Sequence, residues 1–547
     1  MKSGRGEQVR EIGFARRAAW LTTANTIAFG LSFIAPLVLV RTLSQTEFGV
    51  YKQVFQILMS TISALNLQVA STAYYFMPRA PDKKLQVVVN VLVFYGAVGV
   101  VVAALFIFYP ECALLVFKSG DLPAYMPLLG VTILLWLVSS NLDVVPLALG
   151  DVRTSSIFIV IAQLTKSALT VSAALLFHSV SAMIWAAAIQ GALQILFMVA
   201  YLRRRFRQSS GAQSSGAQSS GAQSSGAQSS GAQSSGAWRI RNVFDLALFK
   251  AQISDALPYG LGGFAQTTQG DLHNFMVSRY FPPAGFAIYS AGLFQLPLLG
   301  LLTTSFSGAL IPEVSRLAAA GAQRAIIPIW LTAARKLALV IVPICALMFV
   351  LRYEIITLLF TNSYSEAAPL FGIYLFSALL PITLTGSPIR AHEEFKFFRF
   401  KLHLALLPLT VGALYLGIHV AGLRGAVIAL VGLQTLEAAI VLTAVGRRLG
   451  FIASDLRHLT PALKTALGAG AAAMIAFAVK LMLTQASAPV RIILCGAVFG
   501  AVYIFAAYTL GAVTDDEKAY IRETLSRFLS RWKSARRRLG ATRATID

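Results

Sequence analysis

Apolar segments long enough to cross a lipid bilayer recur along almost the whole chain, separated by short polar connections. A hydrocarbon core about 30 Å thick requires roughly 20 apolar residues in a helix. Because the backbone must satisfy its own hydrogen bonds in lipid, such segments are expected to be helical. Windows of this kind begin near Ala18, Val50, Leu85, Ala124, Ser156, Ser181, Leu257, Ala287, Ala333, Ala367, Lys401, Gly425, Ala462 and Val490. The sequence therefore predicts an all-α polytopic membrane protein with about 14 transmembrane helices.

The composition agrees with a chain that mostly faces lipid. Hydrophobic residues make up 56% and charged residues 13% of the sequence, whereas a soluble protein has roughly a quarter of its residues charged. The first apolar segment, residues 18–40, is too long for a signal-peptide core and lacks a small-residue cleavage site. The three cysteines lie far apart in the sequence, which predicts packing residues and no metal site.

The positive charges are distributed asymmetrically between alternate connections. The formal net charge is +23. With the N-terminus inside, connections on the cytoplasmic side hold about 37 lysines and arginines, and the opposite side holds about 8. This bias predicts a multi-pass protein with both termini in the cytoplasm. It also excludes nucleic acid as a partner, because the positive charge never forms one patch with aromatic residues.

The predicted organisation has two halves joined by a polar linker. Residues 209–233 are five copies of Ser-Ser-Gly-Ala-Gln, a composition typical of a flexible coil. From Thr514 onward a capping box precedes a basic amphipathic pattern, which predicts a helix on an anionic leaflet. The predicted segments are a cytoplasmic N-terminus (1–17), a six-helix bundle (18–202), a cytoplasmic linker with an interfacial segment (203–256), a second six-helix bundle (257–446), two further helices (447–511) and a cytoplasmic tail (512–547).

An internal repeat suggests how the two bundles are related. Arg41 is followed by Phe48 and Tyr51, and Arg279 is followed by Phe286 and Tyr289, so both sets have the spacing Arg-x6-Phe-x2-Tyr. Each set follows the first span of a half. Two parallel bundles with a substrate site between them are typical of transporters, although aromatic residues also recur at membrane interfaces for anchoring alone.

Polar side chains inside the spans are the candidate functional residues, because burying them in lipid is costly. The seventh span is too polar to face lipid, and its side chains either line a water-filled cavity or bond to neighbouring helices. Its candidates are Gln266, Gln269, Asp271, His273 and Asn274.

Lys166 lies in the middle of an otherwise apolar span. Its ammonium group either binds an anionic substrate such as a diphosphate or forms a helix-joining ion pair with Asp143, Asp271 or Glu437. Asn25 in the first span is a candidate for bonding sugar hydroxyls or for interhelical packing. Arg41 and Arg279 are placed at the outer interface, where snorkelling alone explains an arginine.

Three segments carry a resemblance to a known family. The run Arg41-Thr-Leu-Ser-Gln-Thr-Glu-Phe48-Gly49-Val-Tyr51 resembles the first external loop of polysaccharide-repeat flippases of the Wzx type. The stretch from Leu257 to Arg316 is similar to that family in its internal acid and its closing Pro312-x-x-Ser-Arg. Phe360-Thr-Asn-Ser-Tyr-Ser-Glu-Ala367 resembles the loop before the tenth span. The resemblance covers about residues 12–510, while the Ser-Ser-Gly-Ala-Gln insert and Ala287 depart from the usual pattern.

The resemblance implies the multidrug/oligosaccharidyl-lipid/polysaccharide exporter fold and a bacterial inner-membrane location. The implied substrate is a polyprenyl-diphosphate-linked oligosaccharide, for O-antigen, capsule or exopolysaccharide. Implied partners are the lipid bilayer, a polysaccharide polymerase and glycosyltransferases. No cofactor is expected, and no nucleotide-binding loop occurs in the sequence, so a proton, sodium or substrate gradient supplies the energy. A drug or small-cation exporter of the same fold and a membrane glycosyltransferase or polymerase are the alternatives.

Overall fold

The computed structural model describes residues 2–118, 120–140, 144–215, 244–392, 395, 397–452, 454–455, 457, 460–514 and 518. Residues 216–243, most of the amphipathic tail and Asp143 therefore lie outside the described residues, while residues 209–215 of the repeat, predicted as a flexible coil, form the end of α9. Helices are the regular elements throughout the described ranges: α1 (Lys2–Thr42), α2 (Gln45–Leu65), α3 (Ala73–Arg79), α4 (Lys84–Phe108), α5 (Cys112–Val116), α6 (Leu122–Ser139), α7 (Val144–Ala148), α8 (Val152–Phe177), α9 (Val180–Ser215), α10 (Leu246–Tyr280), α11 (Pro283–Gly292), α12 (Pro297–Ala319), α13 (Gln323–Val350), α14 (Arg352–Phe360), α15 (Ala367–Tyr374), α16 (Gly386–Arg390), α17 (Phe398–Leu449), α18 (Thr460–Met482) and α19 (Ala488–Thr509).

Among the described residues, eleven helices are long and apolar enough to cross a membrane. This confirms an all-α polytopic membrane protein. The sequence predicts three more spans, and each difference has a physical reason. α17 contains two predicted spans joined at a kink, the polar residues of α10 lower its mean hydropathy, and the window from Ala367 is broken into α15, a 3₁₀ segment (Ser377–Thr383) and α16.

The helices group into two compact units that each combine separate parts of the chain. The first unit contains Met1–Pro297, Leu359–Leu370 and Glu393–Leu433, and the second contains Leu298–Leu358, Phe371–His392 and Gln434–Asp547. The parallel six-helix bundles at 18–202 and 257–446 stay a prediction.

In the first unit, several helices begin at side-chain caps that satisfy free backbone N–H groups. Ser44 and Glu47 form a complete capping box at the start of α2. Asp151 accepts a hydrogen bond from the Thr154 amide before α8, and Asp245 does the same for Leu248 before α10. These caps lie in the connections and fix where the helices begin.

Close helix packing in the first unit depends on glycine. α1 packs against α8, α4 against α6, and α2 against both α10 and α11. A Cβ atom added at Gly99 would lie 2.9 Å from the Leu134 Cα, so α4 and α6 approach as closely as small residues allow. A Cβ at Gly49 would overlap the Pro283 carbonyl, which places the starts of α2 and α11 in backbone contact.

α17 is a helical hairpin with almost no connecting loop. Ala421 and Gly422 have non-helical backbone angles, and Gly422 has φ +58° and ψ −135°, a region that favours glycine. The carbonyl of Gly417 lies so close to Gly425 that an added Cβ would overlap it. The two predicted spans near Lys401 and Gly425 are therefore packed directly against each other.

The second unit has its own helix packing. α18 packs against α19 and α13, and α13 also packs against the 3₁₀ segment. Cys345 and Cys495 are buried in the unit as free thiols. α13 presents a buried face that includes Ile341 and Leu337, so it is the element around which this unit is built.

Candidate functional site

A cavity of about 290 Å³ lies inside the first unit, among α6, α8 and α9. Its lining combines one cation, one indole ring and several amide and hydroxyl groups. The polar lining residues are Ser139, Ser140, Gln163, Lys166, Gln190 and Gln194, and Trp136 supplies the ring. Side chains that accept and donate hydrogen bonds around one positive charge are suited to an anionic, hydroxyl-rich ligand.

Lys166 is the charged group of this cavity. Its Nζ lies 4.9 Å from the centroid of the Trp136 ring, and the ring is held in place because its Nε1 donates a 2.7 Å hydrogen bond to the Ala187 carbonyl. No carboxylate among the described residues lies within 4.0 Å of Lys166 Nζ. A cation held against an aromatic face keeps its charge available to a ligand in the cavity.

The three acids proposed as partners of Lys166 have different places in the structure. Asp271 belongs to the first unit and bonds elsewhere, because its carboxylate accepts a 2.6 Å hydrogen bond from Ser60. Glu437 belongs to the second unit and is half-buried there. Asp143 lies outside the described residues. Within the first unit, it is therefore the acid for which an ion pair with Lys166 stays a prediction.

Three polar residues of α10 bond to neighbouring helices. Gln269 is buried, and its amide donates to Thr410 Oγ1 at 3.3 Å while its carbonyl oxygen lies 3.2 Å from His403 Nδ1. His273 Nδ1 lies 2.9 Å from the Tyr289 hydroxyl. Asp271 bonds to Ser60. The interhelical interpretation of this polar span accounts for all three.

The remaining candidates in the spans lie at the surface of the unit or near it. Gln266 on α10 and Asn25 on α1 are exposed, and Asn274 is half-buried. These amides do not line the Lys166 cavity. The structure therefore does not bring Asn25, Gln266 and Asn274 together with Lys166 in one cavity.

The repeat residues meet at one end of the first unit. Arg41 Nη1 donates to the Leu37 carbonyl at 2.7 Å and to the Leu359 carbonyl at 3.1 Å, while Arg279 is exposed at the end of α10. Phe48 is fully buried and stacks edge-on against Tyr364 with centroids 6.0 Å apart. Phe286 and Tyr289 are also buried. The two repeats thus lie on neighbouring helices, because α2 packs against α11 with Gly49 in backbone contact with Pro283.

The second unit carries a buried charge cluster. The Glu354 carboxylate is 4% exposed and pairs with Lys480 at 2.8 Å and Arg491 at 3.3 Å. Lys480 also donates to the Val350 carbonyl at 2.8 Å. One acid therefore ties α14 to α18 and α19, with both cations bonded to it.

The family follows from a comparison of the sequence with family profiles. Residues 14–318 match the family described as polysaccharide biosynthesis protein. The chain belongs to this family. A comparison with curated proteins gave no match.

Solved structures show that this polysaccharide biosynthesis protein has the fold of MOP-superfamily transporters. It is similar to the lipid II flippase MurJ in an inward closed conformation, with TM-score 0.63 and 12% identity over 89% of this chain and 97% of that one. It is also similar to an inward-facing multidrug resistance MATE transporter, with TM-score 0.54 and 16% identity over 78% and 94%. A MOP transporter from Pyrococcus furiosus matches with TM-score 0.53 and 15% identity over 79% and 95%.

Sequence reasoning missed a polar stripe on α2. Lys52 Nζ lies 5.6 Å from the Phe48 ring centroid, and Gln56 Nε2 donates to Ser60 Oγ at 2.7 Å. Gln53 is fully buried, and neither of its amide atoms has a hydrogen-bond partner among the described residues. The spacing of four residues from Lys52 to Gln56 to Ser60, inside an apolar span, is the sequence signal that indicates one helix face.

Proposed function

We propose that this polysaccharide biosynthesis protein moves a lipid-diphosphate-linked oligosaccharide from the inner to the outer leaflet of the bacterial inner membrane. The observation that supports this proposal is the Lys166 cavity. A diphosphate is an anion, and a cation in a low-dielectric cavity binds it more strongly than one in water. The nearby amides and hydroxyls suit sugar hydroxyl groups.

The energetic argument concerns an ammonium group near the middle of a span. An uncompensated charge at that depth costs at least about 2.5–3.5 kcal/mol on insertion scales. The Trp136 ring compensates part of this cost, since a cation–π contact contributes about 0.5–2 kcal/mol. A bound phosphate oxygen would compensate the rest, so the cavity is more stable when it holds an anion.

Coupling to an ion gradient is the second part of the proposal. Asp271 is a carboxylate in a span, bonded through Ser60 to Gln56. A proton or sodium ion that binds this carboxylate would change the interaction between α10 and α2. We propose no cofactor, and we expect the polymerase and glycosyltransferases of the same process as partners.

Lys166 variants test the substrate. In cells that lack the native protein, Lys166→Ala should abolish appearance of the lipid-linked sugar on the outer leaflet at a normal membrane protein level. Lys166→Arg should retain part of it, because arginine keeps the charge. Leu164→Ala is the matched control, since Leu164 lies on the same helix with an exposed side chain and does not line the cavity. Normal transport by Lys166→Ala, or export of a cationic dye without sugar transport, would contradict the proposal.

A further inference from the structure

A second cavity, of about 450 Å³, lies entirely within the second unit. It is formed by α13, the 3₁₀ segment and the last turns of α17, and it shares no residue with the Lys166 cavity. Its walls are mainly apolar: Trp330, Leu331, Ala334, Ile382, Leu442 and Phe451. The volume is in the range of small-molecule sites.

The end of the 3₁₀ segment, at a residue with left-handed backbone angles, shapes this cavity. Leu384 has φ +49°, so the helical hydrogen-bond pattern ends before it, and the Thr383 carbonyl accepts a 2.7 Å hydrogen bond from Trp330 Nε1. Trp330 is only 2% exposed. Because the one polar group of the indole is already bonded inside the protein, the ring presents hydrocarbon to the cavity and the wall is preformed.

The rim of the cavity carries a positive charge. Arg447 is the charged residue among the lining residues, and it is exposed in the last turn of α17. It makes no hydrogen bond or ion pair within the described part of the chain. Asp455, in the chain just after α17, is paired with Arg324 at 3.7 Å.

We propose that this cavity binds an acidic glycerophospholipid, with one acyl chain against Trp330 and the phosphate at Arg447. An apolar cavity with one cation at its mouth matches the two chemical parts of such a lipid. The charge bias of the sequence predicts that this end of α17 faces the cytoplasmic leaflet, whose surface is anionic. The site is separate from the proposed transport function and would regulate or stabilise the second unit.

The neighbouring arginine supplies a matched control. Arg448 lies in the same turn and is also exposed, but it does not line the cavity. General attraction to an anionic membrane would depend on both arginines equally. Binding in the cavity depends on Arg447 and on the apolar space that the other lining residues enclose.

The experiment measures lipid binding to the purified full-length protein by native mass spectrometry and by thermal melting in detergent. The probes are phosphatidylglycerol, phosphatidylcholine, inorganic phosphate and a polyprenyl phosphate. We expect phosphatidylglycerol to bind and to raise the melting temperature, while phosphatidylcholine and inorganic phosphate do so weakly. Arg447→Gln should weaken phosphatidylglycerol binding about fivefold, the effect of one basic residue at an anionic surface, and Arg448→Gln should not.

A second variant keeps the test independent of charge. Thr443 lines the cavity and its side chain is exposed, so Thr443→Trp should fill the space and block acyl-chain binding while Arg447 remains. Equal binding of phosphatidylcholine, equal losses in Arg447→Gln and Arg448→Gln, or unchanged binding in Thr443→Trp would overturn the proposal. Displacement of phosphatidylglycerol by polyprenyl phosphate at lower concentration would also overturn it, because the site would then belong to the substrate.

Discussion

The Ser60 hydroxyl donates a 2.6 Å hydrogen bond to the Asp271 carboxylate and thereby joins α2 to α10. The same hydroxyl accepts a 2.7 Å hydrogen bond from Gln56. A charged residue of the most polar span is thus bonded through one hydroxyl to a helix 211 residues away in the sequence. This hydrogen bond therefore connects the carboxylate of α10 to the polar face of α2.

Asp271→Asn separates the charge of this group from its packing. Asparagine can still accept the hydrogen bond from Ser60, so we expect a normal amount of protein in the membrane but loss of transport to background. The readout is lipid-linked sugar on the outer leaflet together with protein level.

Ser60→Ala is the companion variant for Asp271. It keeps the carboxylate but removes a hydrogen bond to a charged group, which costs about 1.5–3 kcal/mol, so we expect a lower melting temperature and, because the link from Asp271 to α2 is lost, lower transport per molecule. Full transport by Asp271→Asn would show that the side chain only packs.

Gly49→Ala should destabilise the first unit. The added Cβ would overlap the Pro283 carbonyl, and backbone cannot move aside as a flexible side chain can. Overpacking of this kind costs about 1–3 kcal/mol. The control is Gly30→Ala, where no atom lies within 4 Å of the added Cβ and alanine should be neutral or stabilising in a helix. Melting curves of the purified variants compare the two, and an equal effect at both positions would exclude the contact as the cause.

Glu354→Gln should destabilise the second unit strongly. The change leaves Lys480 and Arg491, which are 16% and 29% exposed, without their acid, and breaking a buried pair costs about 3–5 kcal/mol. Glu313→Gln is the control, because Glu313 and Arg316 form an ion pair that is 41% and 66% exposed, worth at most about 1 kcal/mol. Thermal melting in detergent should show a large decrease in melting temperature for Glu354→Gln only. Similar decreases for both variants would mean that burial of the ion pair does not determine the loss of stability.

We expect the stability of the first unit to depend on pH through Asp245, which caps the start of α10. The Leu248 amide and the Lys83 ammonium hold the pKa of the Asp245 carboxyl below its usual range. A lowered pKa in the folded state means that the stabilisation is complete above the unfolded-state pKa of about 3.9. It is lost as the pH falls through the lower, folded-state value.

The measurement compares the wild type with Asp245→Asn across pH. The wild type should melt at a higher temperature at pH 7, and the difference should shrink below about pH 4. Asparagine still caps the helix, so the difference reports the charge. A difference that stays constant with pH would show that Asp245 contributes nothing through its ionised form.

The sequence was sufficient for the class of fold because hydropathy is a local property. Each apolar window could be recognised without knowing its neighbours, and the window near Leu257 lies within α10. Interactions between residues far apart in the sequence could not be predicted in this way. Nothing in the sequence pairs Ser60 with Asp271, and the lysine cavity depends on how α6, α8 and α9 pack.

The stripe on α2 was missed for a different reason. Lys52 lies in the first half of α2, where a snorkelling role explains a lysine without further assumptions. The significance of the stripe depends on Gln53 being fully buried, and burial is a property of the packed molecule. The repeat of Phe48 and Phe286 was visible in the sequence, but the contact between the two motifs was not.

The tight hairpin of α17 has a consequence for biogenesis. Its two spans are joined at two non-helical residues, Ala421 and Gly422, within one run of 52 residues. With so little chain between them, the first span has no soluble loop behind it when the second leaves the ribosome. We therefore expect the two spans to enter the bilayer as a pair, with Gly417 and Gly425 packed against each other.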